Sequence, residues 1–154
     1  MQYDARQIAN EFIRRAAEDG GRVLSIMTLL KLVYIAHGWM LALYNRPLFP
    51  NRIEAWQYGP VVLDVYQAYR NQGVDIRNPI KFEALPLDPQ AEDLLGQISS
   101  NYGHLSPFQL SDLTHIPNGP WDIAMRTGGK RAPILDELIK HHYLEKRQNA
   151  EAAS

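Results

Sequence analysis

Apolar residues recur at helical spacing along most of this chain, and the pattern predicts a mainly α fold. A first stripe covers residues 8–16 and ends before Gly20-Gly21, a pair suited to a helix C-terminus. The segment at about 25–45 is apolar on almost every side, which is typical of a helix buried inside a globule. We therefore predict a single compact helical domain around a buried central helix.

Three further helices are predicted from the way they begin. Each starts with a proline at its first position, Pro89, Pro107 and Pro120, where the missing N–H costs nothing. Ser106 and Gln109 have the spacing of a capping box around the second of these starts.

A last helix is predicted from Pro133 to about Lys146, with Leu135 among its inward residues. The polar residues 148–154 that follow are predicted to be a disordered tail. The chain has no internal repeat and no long linker. The predicted domain therefore spans residues 1–147.

A short stretch of different periodicity predicts a small β-hairpin near 48–58. Residues 53–58 alternate in the manner of a strand, and Leu48-Phe49 would pair with them across the turn 50–52. Gly59-Pro60 then breaks the strand, and Pro60 is predicted to begin a new helix that ends at Gly73.

Composition narrows the class of function. Sixteen basic and 17 acidic residues among 154 give a formal net charge of −1. This balance argues against a broad nucleic-acid surface, although local basic patches stay open at Lys130-Arg131 and Lys146-Arg147. Cysteine is absent, which excludes disulfides and thiolate sites and fits a reducing cytoplasm. No cofactor is expected.

The segment 24–44 is long enough to span a membrane, but Lys31 lies near its centre. A lysine at mid-bilayer costs about 2.5–3.5 kcal/mol on insertion scales. We therefore predict a buried core helix and no membrane partner.

Candidate catalytic groups are few. His115 precedes a proline-bounded turn, and it is interpreted as a residue that caps its helix and packs on Trp121, with a general base as the alternative. Glu54 and Asp64 are interpreted as structural, Glu54 near Arg52, rather than as a carboxylate pair. Adjacent histidines on a helix diverge by about 100°, so no metal site is expected from the histidines.

Aromatic residues offer a second kind of site. Trp56 and Tyr58 lie at the corner after the strand, and Tyr69-Arg70 follow on the next helix. Such aromatics either belong to the core or form a stacking face for a partner. The candidate partner-binding residues are Trp56, Tyr58, Tyr69, Arg70 and His115.

Five sequence words, in order, resemble the Panacea domain, a phage-associated antitoxin domain of toxin–antitoxin pairs. They are LLKLVYIAHGW at 29–39, PLF at 47–49, IEAWQYGPVV at 53–62 with VY at 65–66, LSDLTH at 110–115, and PW at 120–121. The resemblance covers about residues 24–143. One departure is Leu63, where the family often has proline.

The resemblance implies that the chain neutralises a cognate toxin by direct binding. Some members of the family are similar to a proteolytic adaptor that delivers its toxin to the ClpXP protease, so ClpXP is a second expected partner. The family supplies no catalytic residues, and its toxins are of many types. Homo-oligomerisation is left open.

Two other classes of function remain as alternatives. One is a DNA-binding autorepressor, against which the charge balance and the lack of a helix-turn-helix signature weigh. The other is an enzyme that uses His115 with Glu54 or Asp64. We expect a binding protein and not an enzyme.

Overall fold

The computed structural model describes residues 2–153, and this part of the chain is mainly α-helical, as predicted. Two small sheets and a 3₁₀ turn at Arg70–Gln72 complete it. The helices are α1 (Ala5–Glu18), α2 (Ile26–Tyr44), α3 (Leu63–Tyr69), α4 (Pro89–Tyr102), α5 (Pro107–Thr114), α6 (Pro120–Gly128) and α7 (Asp136–Ala153). The strands are β1 (Leu24–Ser25), β2 (Ile53–Trp56), β3 (Gly59–Val62), β4 (Asp75–Ile76) and β5 (Ala132–Pro133).

Helix α2 is the predicted central helix. The Ser25 side chain caps its first turn by accepting a hydrogen bond from the Thr28 N–H, and Asn45 ends it in the left-handed conformation at φ 51°. Helices α1, α4 and α7 pack around it, so most of its residues are buried. Its all-round apolar pattern therefore reflects contacts on every side.

Gly38 sets the close approach of α7 to α2. A Cβ atom at this position would lie 2.3 Å from the ring of Tyr143, so only glycine leaves room for the tyrosine. Nearby, the buried His37 contacts Asp136 through Nε2 at 2.8 Å and stacks on Phe49. The last helix is thus joined to the core by both packing and a polar contact.

Within the described residues, α2 is also a helix with the length and hydropathy of a membrane span. It is mostly buried inside the fold, where it supplies much of the core. This burial agrees with the interpretation of the segment as a core helix.

The helix starts at Pro89, Pro107 and Pro120 are confirmed, and so is the capping box of Ser106 and Gln109. The last helix differs from the prediction.

Helix α7 begins at Asp136, three residues after Pro133, and it continues past Lys146 to Ala153. Leu135, predicted to point inward, lies before this helix and is exposed. The domain boundary at residue 147 stays a prediction, and its ends at residues 1 and 154 lie outside the described residues.

The predicted hairpin is shifted along the chain. Strand β2 pairs with β3, not with Leu48-Phe49, and it has β5 on its other side. Pro60 lies in β3 opposite Ala55, so its prediction as a helix start was wrong. Helix α3 begins only at Leu63. Trp56 pairs with Gly59 across a two-residue loop. Gly59 has a φ of 120°, a conformation that glycine adopts easily.

The connector at 74–88 is held against α1 by two buried amide side chains. Gln7 bonds both backbone groups of Leu85, and Asn10 bonds both of Ile80. Because each amide fixes a donor and an acceptor of the connector, this irregular segment has a defined path across the helix.

Candidate partner-binding site

The two aromatic corners, far apart in sequence, meet in the structure. The indole Nε1 of Trp121, at the start of α6, donates a 2.7 Å hydrogen bond to the backbone oxygen of Trp56 at the end of β2. The ring of His115 packs on Trp121 with the centroids 4.2 Å apart. The start of α6 and the end of α5 therefore support the hairpin from one side.

A buried lysine also supports the hairpin. The Nζ of Lys31, on α2, donates a 3.0 Å hydrogen bond to the backbone oxygen of Tyr58. Lys31 is only 1% exposed, and burial lowers the pKa of its amine to about 8. A Cβ atom at Gly59 would lie 2.7 Å from this Nζ and 3.0 Å from Cε1 of His115. The turn therefore fits tightly over the lysine.

His115 has the structural role predicted for it. It is the C-cap residue of α5, and its Nδ1 lies 2.6 Å from the backbone oxygen of Ser111, a contact in which Nδ1–H donates. Together with the packing on Trp121, this confirms the interpretation as a capping residue.

The outer side of the hairpin carries a buried carboxylate. Glu54 accepts hydrogen bonds from Arg52 Nε at 2.7 Å and from Trp56 Nε1 at 2.9 Å. Burial alone would raise the pKa of Glu54, but these bonds and the charges of Arg52 and Arg131 hold it below its usual value. The predicted pairing of Glu54 with Arg52 is confirmed. The hydrogen bond to Glu54 therefore orients the indole of Trp56.

The ring of Trp56 is fixed on two further sides. The guanidinium of Arg131 lies over it, 4.7 Å from the ring centroid, and Tyr66 meets it edge-on at 4.9 Å. Arg131 is itself held by its backbone N–H, which donates to the Ala55 oxygen at 2.7 Å.

These residues form one wall of an open surface cleft of about 410 Å³. The cleft is called the basic aromatic cleft below, and its lining residues are Trp56, Gln57, Tyr66, Arg70, Lys130 and Arg131. No carboxylate is among the described residues that line it. Its surface therefore combines aromatic faces with three positive charges.

Four of the five predicted partner-binding residues fall into three places. Trp56 and Arg70 line the basic aromatic cleft, while Tyr58 protrudes from the hairpin loop with 66% of its surface exposed. His115 lies beside the loop, partly buried.

The prediction that Tyr69 contacts a partner was wrong, because Tyr69 is fully buried. Its hydroxyl bonds to Asn10 and accepts a hydrogen bond from the Ile80 N–H, so it is part of the core and presents no surface to a partner. Its role is to join α3 to α1 and to the connector. The partner-binding roles of the other four residues stay predictions.

Two residues of the site were not assigned to it from the sequence. Lys31 was recognised only as a charge that breaks an apolar segment, yet a lone lysine in an otherwise buried helix is itself a signal of a specific polar partner. Arg131 was noted only as half of a basic pair, and nothing in the local sequence indicates that β5 brings it to Trp56.

The alternative catalytic groupings do not come together. Glu54 contacts Arg52, Trp56 and Arg131, whereas Asp64 accepts a hydrogen bond from Asn51. Over residues 2–153, no cluster of three His, Asp or Glu side chains has the arrangement of a metal site.

Comparison with known proteins identifies the class. Residues 29–122 match the family described as "Antitoxin SocA-like, Panacea domain". The protein "Antitoxin SocA" of Caulobacter vibrioides (strain NA1000 / CB15N) is 31% identical over 155 residues, which cover 91% of this chain and 82% of that relative. The chain therefore belongs to the SocA-like Panacea antitoxin family. No solved structure shows significant similarity to it.

Proposed function

We propose that this chain is a cytoplasmic antitoxin that neutralises a cognate toxin by binding it directly. Membership of the antitoxin family supports the class of function. The structural observation that carries the proposal is the hairpin loop, which exposes Tyr58 although its backbone is held by hydrogen bonds from Lys31 and Trp121. An ordered surface loses little conformational entropy on binding, which favours tight association.

The binding surface that we propose consists of the hairpin loop and the basic aromatic cleft beside it. Both are reached from solvent, and both lie at the end of β2, because Trp56 lines the cleft and the loop follows it directly in the chain. Tyr58 supplies an exposed aromatic side chain of the kind enriched in interface hot spots. Arg70 and Trp56 add a cation and a second aromatic group within the same face.

A binding role is also favoured over an enzymatic one by the state of the polar groups. Nδ1–H of His115 donates to the backbone oxygen of Ser111 at 2.6 Å, so this nitrogen cannot act as a base toward the Ser111 hydroxyl, which lies 3.1 Å away. Glu54 is buried and accepts hydrogen bonds from Arg52, Trp56 and Arg131, so its oxygens are engaged within the fold.

Co-expression with the protein of the neighbouring reading frame tests the proposal. We expect the neighbour alone to arrest growth, and we expect this chain to restore growth and to co-purify with it. An otherwise intact chain that restores growth without forming a complex would contradict direct binding.

A proteolytic adaptor role is the finer part of the proposal, and it needs a separate assay. The toxin is incubated with ClpXP in the presence and absence of this chain. Adaptor function predicts that toxin degradation depends on the chain. Neutralisation that is complete without protease, and degradation that is unaffected by the chain, would restrict the mechanism to occlusion.

A further inference from the structure

The basic aromatic cleft contains positive charges that the fold itself does not use. Neither the guanidinium of Arg70 nor the ammonium of Lys130 makes a hydrogen bond or ion pair with any of the described residues. Arg131 donates to Glu54 through Nε at 3.4 Å, and among the described residues its two terminal nitrogens make no hydrogen bond. Three cations therefore converge on one cleft, and each has N–H donors available for a ligand.

The arrangement of Arg131 suits a carboxylate in particular. Its guanidinium is held in place by the Trp56 ring beneath it and by the backbone bond to Ala55. A fixed, planar guanidinium presents parallel N–H groups that match the two oxygens of a carboxylate. Because the orientation exists before binding, less side-chain entropy is lost when the pair forms.

The size and charge of the cleft favour a peptide over a nucleic acid. About 410 Å³ accommodates a few side chains, and the aromatic faces of Trp56 and Tyr66 offer apolar contact beside the cations. A nucleic-acid surface needs basic residues that follow several phosphates, whereas this chain has a net charge of −1.

We propose that the basic aromatic cleft recognises an acidic segment of the toxin. Carboxylates of the segment pair with Arg70, Lys130 and Arg131, and an apolar side chain of the segment packs on Trp56. This inference rests on the proposed antitoxin function and adds to it the chemistry of the contact surface.

The test is a charge reversal of the two unpaired cations, the double variant Arg70→Glu with Lys130→Glu. The probe is the purified protein of the neighbouring reading frame, and its Kd is measured by calorimetry. Since neither side chain has a partner among residues 2–153, the melting temperature should stay close to that of the wild type. We expect the Kd to rise by at least ~100-fold, as for the loss of paired charges in an interface.

The matched control is Arg77→Glu with Lys81→Glu, which makes the same change in net charge in the exposed connector. We expect it to alter the Kd by less than about threefold, because exposed charges away from a contact are screened. Equal weakening by both double variants would overturn the inference, since it would show an effect of net charge alone. Normal binding by the Arg70→Glu, Lys130→Glu variant would also overturn it while leaving the proposed function intact.

Two further results separate the remaining outcomes. Changing acidic residues of the toxin segment to lysine should restore binding to the cleft variant, which would support the inference. A second result would show that the inference is wrong and that the cleft binds a nucleic acid. In that case the wild-type chain binds a single-stranded oligothymidine through the cleft, and the Arg70→Glu, Lys130→Glu variant binds the toxin as tightly as the wild type does. If the wild-type chain does not bind the neighbouring protein at all, the proposed antitoxin function is itself wrong.

Discussion

The indole Nε1 of Trp121 donates a 2.7 Å hydrogen bond to the backbone oxygen of Trp56, 65 residues earlier in the chain. This bond joins the two aromatic corners, and it holds the end of β2 against α6. Trp56, which accepts the bond, also lines the basic aromatic cleft, and the exposed Tyr58 lies two residues further along the chain. The two aromatic corners thus support the proposed binding surface.

The Trp121→Phe variant tests this support. Phenylalanine retains most of the ring but lacks the indole donor, so the Trp56 oxygen loses this hydrogen bond. We expect the free energy of unfolding to fall by about 0.5–1.5 kcal/mol, the usual net contribution of one hydrogen bond. Hydrogen exchange should also accelerate at the amides of β2 and β3.

The control is Trp39→Phe, which removes an indole bond to the Tyr102 hydroxyl on a different side of α2. It should lower global stability without a selective effect on the hairpin amides. If the two variants change hairpin exchange equally, Trp121 does not support the hairpin in the way described.

Gly59→Ala tests the close fit of the turn over Lys31. The substitution strains a residue at φ 120° and also places its Cβ 2.7 Å from the lysine Nζ. We expect a loss of about 2–4 kcal/mol in the free energy of unfolding, measured by denaturant titration.

Gly73→Ala separates the two causes, because Gly73 also has a positive φ of 89° but has nothing within 4 Å of its Cβ position. This control should cost about 1–3 kcal/mol, from backbone strain alone, and less than Gly59→Ala. Equal losses in the two variants would mean that the contact with Lys31 contributes nothing.

The Lys31→Met variant is expected to change how the free energy of unfolding depends on pH. The pKa of Lys31 is about 8 in the folded protein, against an ordinary value of 10.5. Between these values the unfolded chain binds more protons than the folded one, so the free energy of unfolding rises with pH over that interval. Relative to Lys31→Met, the wild type should gain roughly 3 kcal/mol from pH 8 to 10.5.

The control for this comparison is Lys81→Met, a change at an exposed lysine. Its stability curve should run parallel to that of the wild type across the alkaline range. If the wild-type curve were also parallel to the Lys31→Met curve, burial would not lower the pKa of the Lys31 amine.

The local chemistry of the chain was sufficient to predict several of its helices, although not the starts of α3 and α7. The helix starts at Pro89, Pro107 and Pro120, the Ser106–Gln109 capping box and the apolar character of α2 depend on neighbours in sequence, and the structure confirms each of them. The same is true of His115 as a C-cap, since a capping residue contacts its own helix.

The sheet could not be predicted in the same way. Strand β3 has four residues, and its pairing with β2 is what makes it a strand, so Gly59-Pro60 was interpreted as a helix start instead. Strand β5 is nearly 80 residues from β2, and no local pattern marks their pairing. For this reason the place of Arg131 in the basic aromatic cleft emerged only from the structure.

His115→Ala distinguishes the binding model from catalysis. Loss of a general base typically removes a factor of about 10²–10⁴ in rate. Loss of a capping and packing histidine should cost about 1 kcal/mol of stability, and neutralisation by saturating antitoxin should survive at permissive temperature. His104→Ala, at an exposed histidine, is the matched control. Abolished neutralisation by a folded His115→Ala protein that still binds the toxin would contradict the structural role and favour catalysis.

The most direct test of the account is a titration of this chain into a fixed amount of purified toxin, without protease, with residual toxin activity as the readout. A binding protein is consumed in its complex, so neutralisation should rise linearly and saturate near equimolar amounts. Complete neutralisation at strongly substoichiometric amounts would contradict direct binding and would point to catalytic turnover by the chain.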